Sequence, residues 1–373
     1  MAGVAGYVAV NSLGLGHAAR AIAIAREMQR RHPGLELFFL AGSPALDLAV
    51  SHGFDAMPLP PTPEWFHENG RIHSMGRWYR EYVKYLRYAT RFLRKEADWD
   101  RFRFLISDGE MASVRLAVRR HIPTVAIVHS IGQDFGGSFL ARRIESFGRW
   151  WMRSLLTAKT VRVLALERGI DLPNATYVGP IVRPPAKSRE ELRDDFVFLK
   201  KTILVAPGGT SLGKFLIDEA IRAFRELHLS DTQMIVVTGP KIPAPKEAGV
   251  FWRGFVPNLQ DYVTAADLVI TMAGKGTMYE ALAAGTPVIA IPAKGHAEAE
   301  RNLRAANLPY SFEDAYRLRE LIPTKLAEPR SPPTDFGPAR AVAVIEEFLA
   351  AQGVALGDPP PAALSPRPQS QGT

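Results

Sequence analysis

A glycine loop that ends in a histidine, Gly14–His17, is the first segment whose residue types could support chemistry. It follows the apolar run Gly6–Asn11 and precedes an alanine-rich stretch that favours a helix. Glycines let the backbone approach a ligand closely, and the positive end of a helix disfavours a protonated imidazole. We therefore predict that His17 is a neutral base for a hydroxyl group, although a histidine that only packs the loop would show the same pattern. The third glycine of a dinucleotide-binding loop is missing, which argues against a nicotinamide cofactor.

A second glycine loop, Gly208–Phe215, has the spacing of a phosphate-binding loop except at its last position. Phe215 stands where a Ser or Thr would hold a magnesium ion, which argues against an ATPase. Consecutive backbone N–H groups in such a loop still suit a diphosphate. The alternative is that Gly208 and Gly209 only form a tight turn.

The segment Ala265–Pro292 is the most informative part of the sequence. An apolar strand is predicted to end at Thr271, and Gly274–Thr277 then form an anion-binding turn at the start of a helix. Glu280 follows about one turn into that helix, where its carboxylate could accept hydrogen bonds from ribose hydroxyls. An ordinary strand, turn and helix with a solvated Glu280 is the alternative.

Further polar residues follow two predicted strands of the first half, at the sheet edge where α/β domains bind ligands. Asp108 and Glu110 follow one strand, and His129 and Asp134 follow the other. A carboxylate here could orient His17 or the acceptor. A turn or a helix cap would explain Asp108 and Glu110 equally well, and His129 could be an ordinary strand-end histidine.

Basic residues recur every three or four positions along one predicted helix, which places them on one face, while aromatic and aliphatic residues fall on another. One interpretation is a helix that lies on anionic lipid headgroups and serves a lipid-linked acceptor, and a second basic and aromatic run, Arg142–Arg153, supports it. The other interpretation is an aromatic face packed on the core with a solvated basic back. Nucleic acid is not expected as a partner, because stacking aromatics would have to lie among the charges. The basic residues are Arg77, Arg80, Lys84, Arg87, Arg91 and Arg94.

The segments that carry these residues alternate between short apolar runs and helical patterns. Such alternation is typical of doubly wound α/β domains with parallel sheets. Strands are predicted at Gly6–Asn11, Leu35–Ala41, Phe104–Ser107, Thr124–His129, Val161–Ala165, Thr176–Val178, Thr202–Ala206, Met234–Thr238, Val250–Gly254, Leu268–Thr271 and Pro287–Ile291.

A proline-rich junction, Val178–Pro185, divides the chain because its three prolines continue neither strand nor helix. We predict an N-terminal Rossmann-like domain over 1–184 and a C-terminal one over 185–336. A final helix is predicted over 337–352. Residues 353–373 are rich in Pro, Ala, Ser and Gly, which predicts a disordered tail.

Composition sets further bounds on the 373-residue chain, which has no Cys and a net charge of +8. Thiolate metal sites, iron–sulfur clusters and cysteine nucleophiles are therefore excluded. The nine His include no i, i+4 pair with a Glu between them, and no metal or other cofactor is expected. No apolar run is long enough to span a membrane, and the first residues do not resemble a signal peptide, so we expect a cytoplasmic protein that can associate with membranes. The basic excess lies in the first half, where residues 1–186 hold 25 Lys and Arg against 16 Asp and Glu. This half is expected to face an anionic partner.

The residues from Gly274 to Pro292, with Gly254-Phe255 before them and Glu298–Asn302 after them, resemble the donor-binding half of GT-B glycosyltransferases. The similarity is strongest to the group that contains the bacterial N-acetylglucosaminyltransferase of peptidoglycan lipid assembly and its archaeal relatives. Gly14–Arg20 resembles the glycine–histidine loop of these families, and Gly179–Arg183 resembles their inter-domain element in shifted form.

This resemblance implies a GT-B fold and transfer of a sugar from a UDP-sugar to an acceptor hydroxyl with inversion. The acceptor that it implies can be linked to a lipid. His17 would be the base, with Asp108 or Glu110 beside it. The N-terminal domain would bind the acceptor, with His129 and the basic residues Arg80, Lys84, Arg87 and Arg91. The donor would contact Gly16, Arg183, Gly208, Gly209, Thr210, Phe255, Gly274, Gly276, Thr277, Glu280, Glu298 and Asn302.

One departure from the family concerns the donor sugar. These families often carry Gln in a Glu-Gln-x-x-Asn string, whereas this chain has Ala299 after Glu298. Glu298 or Glu300 could bind the sugar hydroxyls instead. Two other activities remain open, because a UDP-sugar hydrolase would use the same histidine loop to activate water, and a binding protein could hold the nucleotide sugar without turnover.

Overall fold

The computed structural model describes residues 4–131, 139–243 and 249–357. Within these ranges the chain forms two α/β domains, each built on a parallel sheet, which confirms the predicted doubly wound architecture. Asp134 and residues 358–373 of the predicted tail lie outside the described residues.

Nine strands and five helices of the described residues belong to the N-terminal domain. The strands are β1 (Ala5–Val10), β2 (Glu36–Ala41), β3 (Ala56–Pro58), β4 (Phe66–Glu68), β5 (Arg71–His73), β6 (Phe104–Asp108), β7 (Thr124–Val128), β8 (Val161–Ala165) and β9 (Ala175–Tyr177). The helices are α1 (Gly16–Arg31), α2 (Ala45–Ser51), α3 (Met75–Glu96), α4 (Met111–Arg119) and α5 (Phe139–Leu156).

The described C-terminal domain has five strands and six helices, and one more helix follows it. The strands are β10 (Lys201–Val205), β11 (Thr232–Val237), β12 (Phe251–Arg253), β13 (Leu268–Met272) and β14 (Val288–Ile291). The helices are α6 (Arg189–Phe196), α7 (Lys214–Leu227), α8 (Leu259–Ala265), α9 (Lys275–Ala284), α10 (Ala297–Ala305) and α11 (Leu318–Leu326), followed by α12 (Ala339–Ala351).

The order of the strands explains where a ligand site can form. The larger sheet runs β3-β2-β1-β6-β7-β8-β9 and the smaller runs β12-β11-β10-β13-β14, with every pair parallel. In each sheet the chain leaves a central strand, β1 or β10, and later returns on its other side. The crevice at such a switch point, beyond the carboxyl ends of the strands, is where open α/β sheets bind ligands.

All eleven predicted strands are present, with ends displaced by at most two residues. Their apolar runs work as signals because parallel strands are covered on both faces, as in β1, where every residue is buried. The short strands β3, β4 and β5 were not predicted. The last two form an antiparallel hairpin with partly exposed residues, so no continuous apolar run marks them.

This hairpin leaves the N-terminal domain and bonds to the C-terminal one. The Ile72 N–H donates to the Lys294 carbonyl and the Lys294 N–H donates to the Gly70 carbonyl, both over 3.0 Å. The His67 ring nitrogen Nε2 lies 2.9 Å from the Ser211 hydroxyl in the second glycine loop. The domains are therefore joined at the hairpin as well as through the connecting chain.

The chain passes between the domains twice at one place. The Val182 N–H, on the way out, donates to the Phe336 carbonyl, on the way back, over 2.9 Å. Helix α12 then packs against α1, and its apolar residues belong to the N-terminal core together with residues of β1 and β2. The N-terminal domain is thus completed by residues that follow the C-terminal domain.

Because Leu349 of α12 is fully buried in that core, we expect Leu349→Ala to destabilise the N-terminal domain by about 2–5 kcal/mol. Urea unfolding followed by circular dichroism measures the change, with Glu347→Ala on the exposed face of the same helix as control. Equal unfolding midpoints for the two variants would show that α12 is not part of the N-terminal core.

Candidate active site

His17 and Asp108 form a pair at the switch point of the larger sheet. His17 is the second residue of α1, directly after the glycine loop that follows β1, and Asp108 ends the neighbouring strand β6. The His17 ring nitrogen Nδ1 lies 2.7 Å from the Asp108 oxygen Oδ1. Of the two carboxylates predicted to orient His17, Asp108 is the one in contact with it.

Arg20 completes this pair from the next turn of α1. Its Nε donates to Asp108 Oδ2 and its Nη2 to Asp108 Oδ1, each over 2.7 Å, and the arginine is only 4% exposed. Burial raises the pKa of the Asp108 carboxyl, but Arg20 and His17 outweigh it and hold that pKa below its ordinary value. An ionised carboxylate only accepts, so Nδ1 of His17 carries a proton, and in the neutral ring Nε2 is the nitrogen that can accept one.

His129, at the end of β7, contacts the same arginine. Arg20 Nη2 lies 2.9 Å from the His129 nitrogen Nε2, and because a guanidinium only donates, Nε2 must accept. The neutral ring then carries its proton on Nδ1, which has no hydrogen-bond partner among the described residues. Burial, with Arg20, His17 and Lys275 nearby, holds the pKa of His129 well below its ordinary value. His129 is therefore a neutral donor and not a second base.

Ligand atoms of His17, Asp108 and His129 all lie within 4.8 Å of one another, as a metal site would require. A guanidinium already occupies the space between them, since Arg20 Nη2 is 2.7 Å from Asp108 Oδ1, 2.9 Å from His129 Nε2 and 3.3 Å from His17 Nδ1. A metal cation there would face the arginine charge at bonding distance. These residues therefore do not fit a metal ion.

Glu110 has a structural role and does not contact His17. Its carboxylate caps α4 by accepting from the N–H groups of Ala112 and Ser113, over 3.1 and 2.7 Å, and it also accepts from the Tyr85 hydroxyl over 3.1 Å. This is the helix-cap alternative considered for the sequence. Asp108 alone of the predicted pair reaches the site.

The glycine loops of the two domains face each other closely. A Cβ atom on Gly209 would lie 2.7 Å from the Leu15 side chain of the first loop, so only glycine allows this approach. Gly208 has a φ of +110°, a conformation that also favours glycine. Thr210 approaches Gly14, and Gly276 at the start of α9 approaches Gly16. The first turns of α1 and α9 are thus held against one cleft.

Glu280 lies one turn into α9, as predicted, and its carboxylate is buried beside Arg183 of the connecting chain. Arg183 Nη2 donates to Glu280 Oε1 over 3.4 Å, and Nη1 donates to the Pro257 carbonyl over 2.5 Å. The buried Arg183 Nε has no hydrogen-bond partner among the described residues. Burial raises the pKa of Glu280 above its ordinary value, although Arg183 opposes the shift. The solvated alternative for Glu280 is wrong.

Asn302 and Glu298 of α10 occupy different positions. Asn302 is buried, and its amide donates to the Ala273 carbonyl over 2.9 Å and accepts from Lys275. Glu298 is partly buried and lines the cleft. Burial raises the pKa of the Glu298 carboxyl, but Lys275, followed by His296 and His17, holds it below its ordinary value. Glu298 is thus an ionised hydrogen-bond acceptor on the C-terminal side of the cleft.

A cavity of about 420 Å³ lies between the domains and is lined by most of the predicted site residues. Its C-terminal side is formed by Arg183, Phe255 and the C-terminal loops, and its N-terminal side by Gly16, His17 and His129. The predicted residues that line it are Gly16, His17, His129, Arg183, Gly208, Gly209, Thr210, Phe255, Gly274, Gly276, Thr277, Glu280, Glu298 and Asn302.

The cavity also extends between the helices of the N-terminal domain, and this extension, the apolar arm, was not predicted. The Trp65 and Trp78 rings stack there with centroids 4.1 Å apart, and Trp65 meets the His296 ring edge-on. The apolar arm brings large apolar side chains into a cavity that also contains His17. Its lining includes Trp65, Tyr82, Leu86, Met111, Trp151 and Met152.

Three charged residues were missed, although the sequence held a signal for each. Arg20 is three residues after His17, which places both on one helix face. Glu167 follows β8 by two residues, at the same sheet edge as Asp108. Lys275 lies inside the anion-binding turn, and its Nζ contacts both Glu167 and Asn302.

The basic residues of α3 form one exposed face, as predicted, and lie outside the cavity. The aromatic face packs inward, with Trp78, Tyr85 and Leu93 buried. On the neighbouring helix α5, Phe147 and Trp150 are 62% and 63% exposed. None of the described helices is long and apolar enough to cross a membrane. The exposed face of α3 contains Arg77, Arg80, Lys84, Arg87, Arg91 and Arg94.

Comparison with known proteins agrees with this geometry. Residues 202–329 match the glycosyltransferase family 28 C-terminal domain. A protein of Methanosarcina acetivorans, described as an uncharacterized glycosyltransferase, is 26% identical over 78% of this chain and 78% of its own.

A UDP-N-acetylglucosamine--N-acetylmuramyl-(pentapeptide) pyrophosphoryl-undecaprenol N-acetylglucosamine transferase of Cutibacterium acnes is 32% identical over 32% of this chain and 34% of its own. Among solved structures, the glycotransferase of kitacinnamycin superposes with a TM-score of 0.64 at 17% identity, over 94% of this chain and 100% of its own, which shows the shared fold. The chain therefore has the GT-B fold, with two facing Rossmann-like domains. It is similar to glycosyltransferases of the group that contains the peptidoglycan-lipid N-acetylglucosaminyltransferases.

Proposed function

We propose that this glycosyltransferase moves a sugar from a UDP-sugar to a hydroxyl group of a lipid-linked acceptor, with inversion at the sugar carbon. The observation that carries the proposal is the cavity between the domains. It has a histidine base fixed by Asp108 on one side, and the loop Gly208–Phe215, the turn Gly274–Thr277 and a buried Glu280 on the other.

On the donor side, backbone N–H groups at Gly208–Thr210 and at the first turn of α9 suit a diphosphate. Glu280 would accept from the ribose hydroxyls, and the Arg183 guanidinium beside it would keep the buried carboxylate from being an uncompensated charge. Phe255 lines the same side and would lie against the base. Glu298 would accept from hydroxyls of the sugar.

In the reaction, His17 Nε2 takes the proton of the acceptor hydroxyl, and the acceptor oxygen forms a bond to the sugar carbon. The bond from that carbon to the diphosphate oxygen breaks on the opposite face, and the electron pair leaves with the diphosphate. Asp108 stabilises the imidazolium as it forms, while Arg20 keeps Asp108 ionised. The first turn of α9 offsets the charge that develops on the diphosphate. No metal ion takes part in this proposal.

The acceptor side supports an acceptor with an apolar portion. The apolar arm opens into the cavity that holds His17, and the exposed face of α3 could bind the anionic headgroups of a membrane from which such an acceptor is taken. A UDP-sugar hydrolase would use His17 to activate water and would need neither feature. A protein that only binds nucleotide sugars would not need the His17–Asp108 pair.

We expect Glu280→Ala to weaken UDP binding at least tenfold, because the ribose loses a charged acceptor and Arg183 loses its partner. Calorimetric titration with UDP, GDP and ADP measures the affinity and the base preference. Glu300→Ala, on the exposed face of α10, is the control. If Glu280→Ala binds UDP as the unchanged protein does, the donor site lies elsewhere.

We expect His17→Ala to leave UDP affinity unchanged and to lower turnover by about 10²–10⁴-fold, because the acceptor hydroxyl loses its base. Asp108→Asn is expected to lower turnover as well, since an amide can hold the wrong tautomer of His17. Release of UDP from UDP-glucose, UDP-N-acetylglucosamine and UDP-galactose measures turnover, with and without lipid vesicles that contain a glycolipid with free sugar hydroxyl groups. Equal release in both conditions would favour a hydrolase, binding without any release would favour a binding protein, and full turnover of His17→Ala would exclude His17 as the base.

We expect replacement of Arg80, Lys84, Arg87 and Arg91 by Ser to lower binding to anionic vesicles at least tenfold, because each charge near such a surface contributes about 1 kcal/mol. Co-sedimentation with phosphatidylglycerol vesicles measures it. The matched control replaces four exposed basic residues of the C-terminal domain, Arg222, Arg304, Arg317 and Arg319. Equal losses for the two variants would mean that α3 has no special role at the membrane.

A further inference from the structure

The strongest feature outside the proposed roles is a buried lysine between the domains. The Lys275 side chain is 6% exposed, and its Nζ contacts the carboxylate of Glu167 and the amide oxygen of Asn302. Glu167 follows β8 in the N-terminal domain, whereas Lys275 begins α9 in the C-terminal one. The pair is therefore an ion pair across the cleft.

Lys275 lies where the negatively charged groups of a bound donor would lie. It lies between Gly274 and Gly276, in the turn whose backbone N–H groups face the cavity. Its charge acts on both sides of the cleft, since it contributes to the lowered pKa values of Glu298 and His129. Within the described ranges, it is the one Lys or Arg that the C-terminal domain, residues 185–336, contributes to the cavity lining.

We propose that Lys275 binds an anionic group of the donor, either a diphosphate oxygen or a carboxylate of the sugar, and that Glu167 occupies this place on the lysine until the donor arrives. This inference rests on the proposed use of a nucleotide-sugar donor.

The exchange follows from the cost of burying charge. A buried ammonium is stable only beside an anionic group, and a diphosphate buried in the cleft is stabilised by cationic side chains. The Asn302 amide donates to the Ala273 carbonyl and accepts from Lys275. It can therefore hold the lysine in place while the anionic partner of the lysine changes from Glu167 to the donor. Glu167 is the movable partner, because its described contact at this site is the ion pair itself and its side chain is 17% exposed.

One consequence is that donor binding breaks the ion pair of Lys275 and Glu167 between the domains, and that the ion pair forms again when the donor leaves. Glu167 competes with the leaving diphosphate for Lys275, which favours release of the nucleotide product. The same exchange tunes donor affinity without any contact between Glu167 and the donor.

The test is calorimetric titration of the full chain with UDP, UMP and uridine. Lys275→Met keeps the aliphatic length of the side chain and is expected to weaken UDP binding about tenfold or more while uridine affinity is unchanged. Glu167→Gln is expected to tighten UDP binding several-fold, because the competing carboxylate is gone. In the Lys275→Met background, Glu167→Gln is expected to have no effect. Glu313→Gln, which removes a carboxylate paired with the exposed Lys294, is the control for net charge.

Titration with UDP-glucuronate and UDP-glucose separates the two anions. If the lysine binds the sugar carboxylate, UDP-glucuronate binds at least tenfold tighter than UDP-glucose, the preference is lost in Lys275→Met, and UDP affinity itself is insensitive to that change. If the lysine binds the diphosphate, Lys275→Met weakens all three UDP ligands alike. Either pattern supports the inference.

Two results would overturn it in a protein that binds UDP. One is unchanged affinity of Lys275→Met for UDP and UDP-glucuronate. The other is weaker UDP binding by Glu167→Gln, which is the result expected if the ion pair only holds the domains together. Glu167→Gln also tests the inference if Lys275→Met does not fold, as thermal unfolding will show. A protein that binds no UDP at all would overturn the proposed donor together with this inference.

Discussion

A fully buried carboxylate, that of Asp108, is the constraint on which the catalytic end of the cleft depends. A charge without solvent must have partners, and the strand end places two within reach, one at the first turn of α1 and one at the next. Arg20 neutralises the carboxylate of Asp108 with two hydrogen bonds. The carboxylate also accepts a hydrogen bond from His17 and so orients the imidazole ring. The same guanidinium also sets the tautomer of His129. One arginine therefore helps to set which ring nitrogen carries the proton in two histidines that line the cavity.

Both domains contribute residues to the cleft, and neither domain alone contains the complete site. The N-terminal domain brings the first glycine loop with His17 and the apolar arm, and the C-terminal domain brings the second glycine loop, the turn Gly274–Thr277 and Glu280. The close approach of residue 209 to the Leu15 side chain requires a glycine, and Gly276 lies against Gly16 across the same cleft. Contacts across the cleft, including the hairpin on Lys294 and the ion pair of Lys275, keep the two halves in register.

Much of the fold follows from the sequence because the strands are continuous apolar runs, and the two glycine loops lie where the strands end. His17 and Glu280 were likewise predictable, since each depends on its spacing from a local turn. Local patterns could not show which carboxylate faces His17, and Glu110 is instead used by the N–H groups of its own helix. The partners of Lys275 and Arg183 come from distant segments, so only the packing of the two domains brings them together. The hairpin was hidden because its strands are short and partly polar.

The return of α12 to the N-terminal domain affects how the protein can fold during synthesis. Domains generally fold in the order in which they leave the ribosome. Here the core beside α1 lacks Ile345 and Leu349 until after the whole C-terminal sheet has been made. The N-terminal domain is therefore expected to stay incomplete, with part of its core exposed, until the C-terminal domain has been made and has folded. A nascent chain that stalls before Ala339 would expose this core to chaperones and proteases.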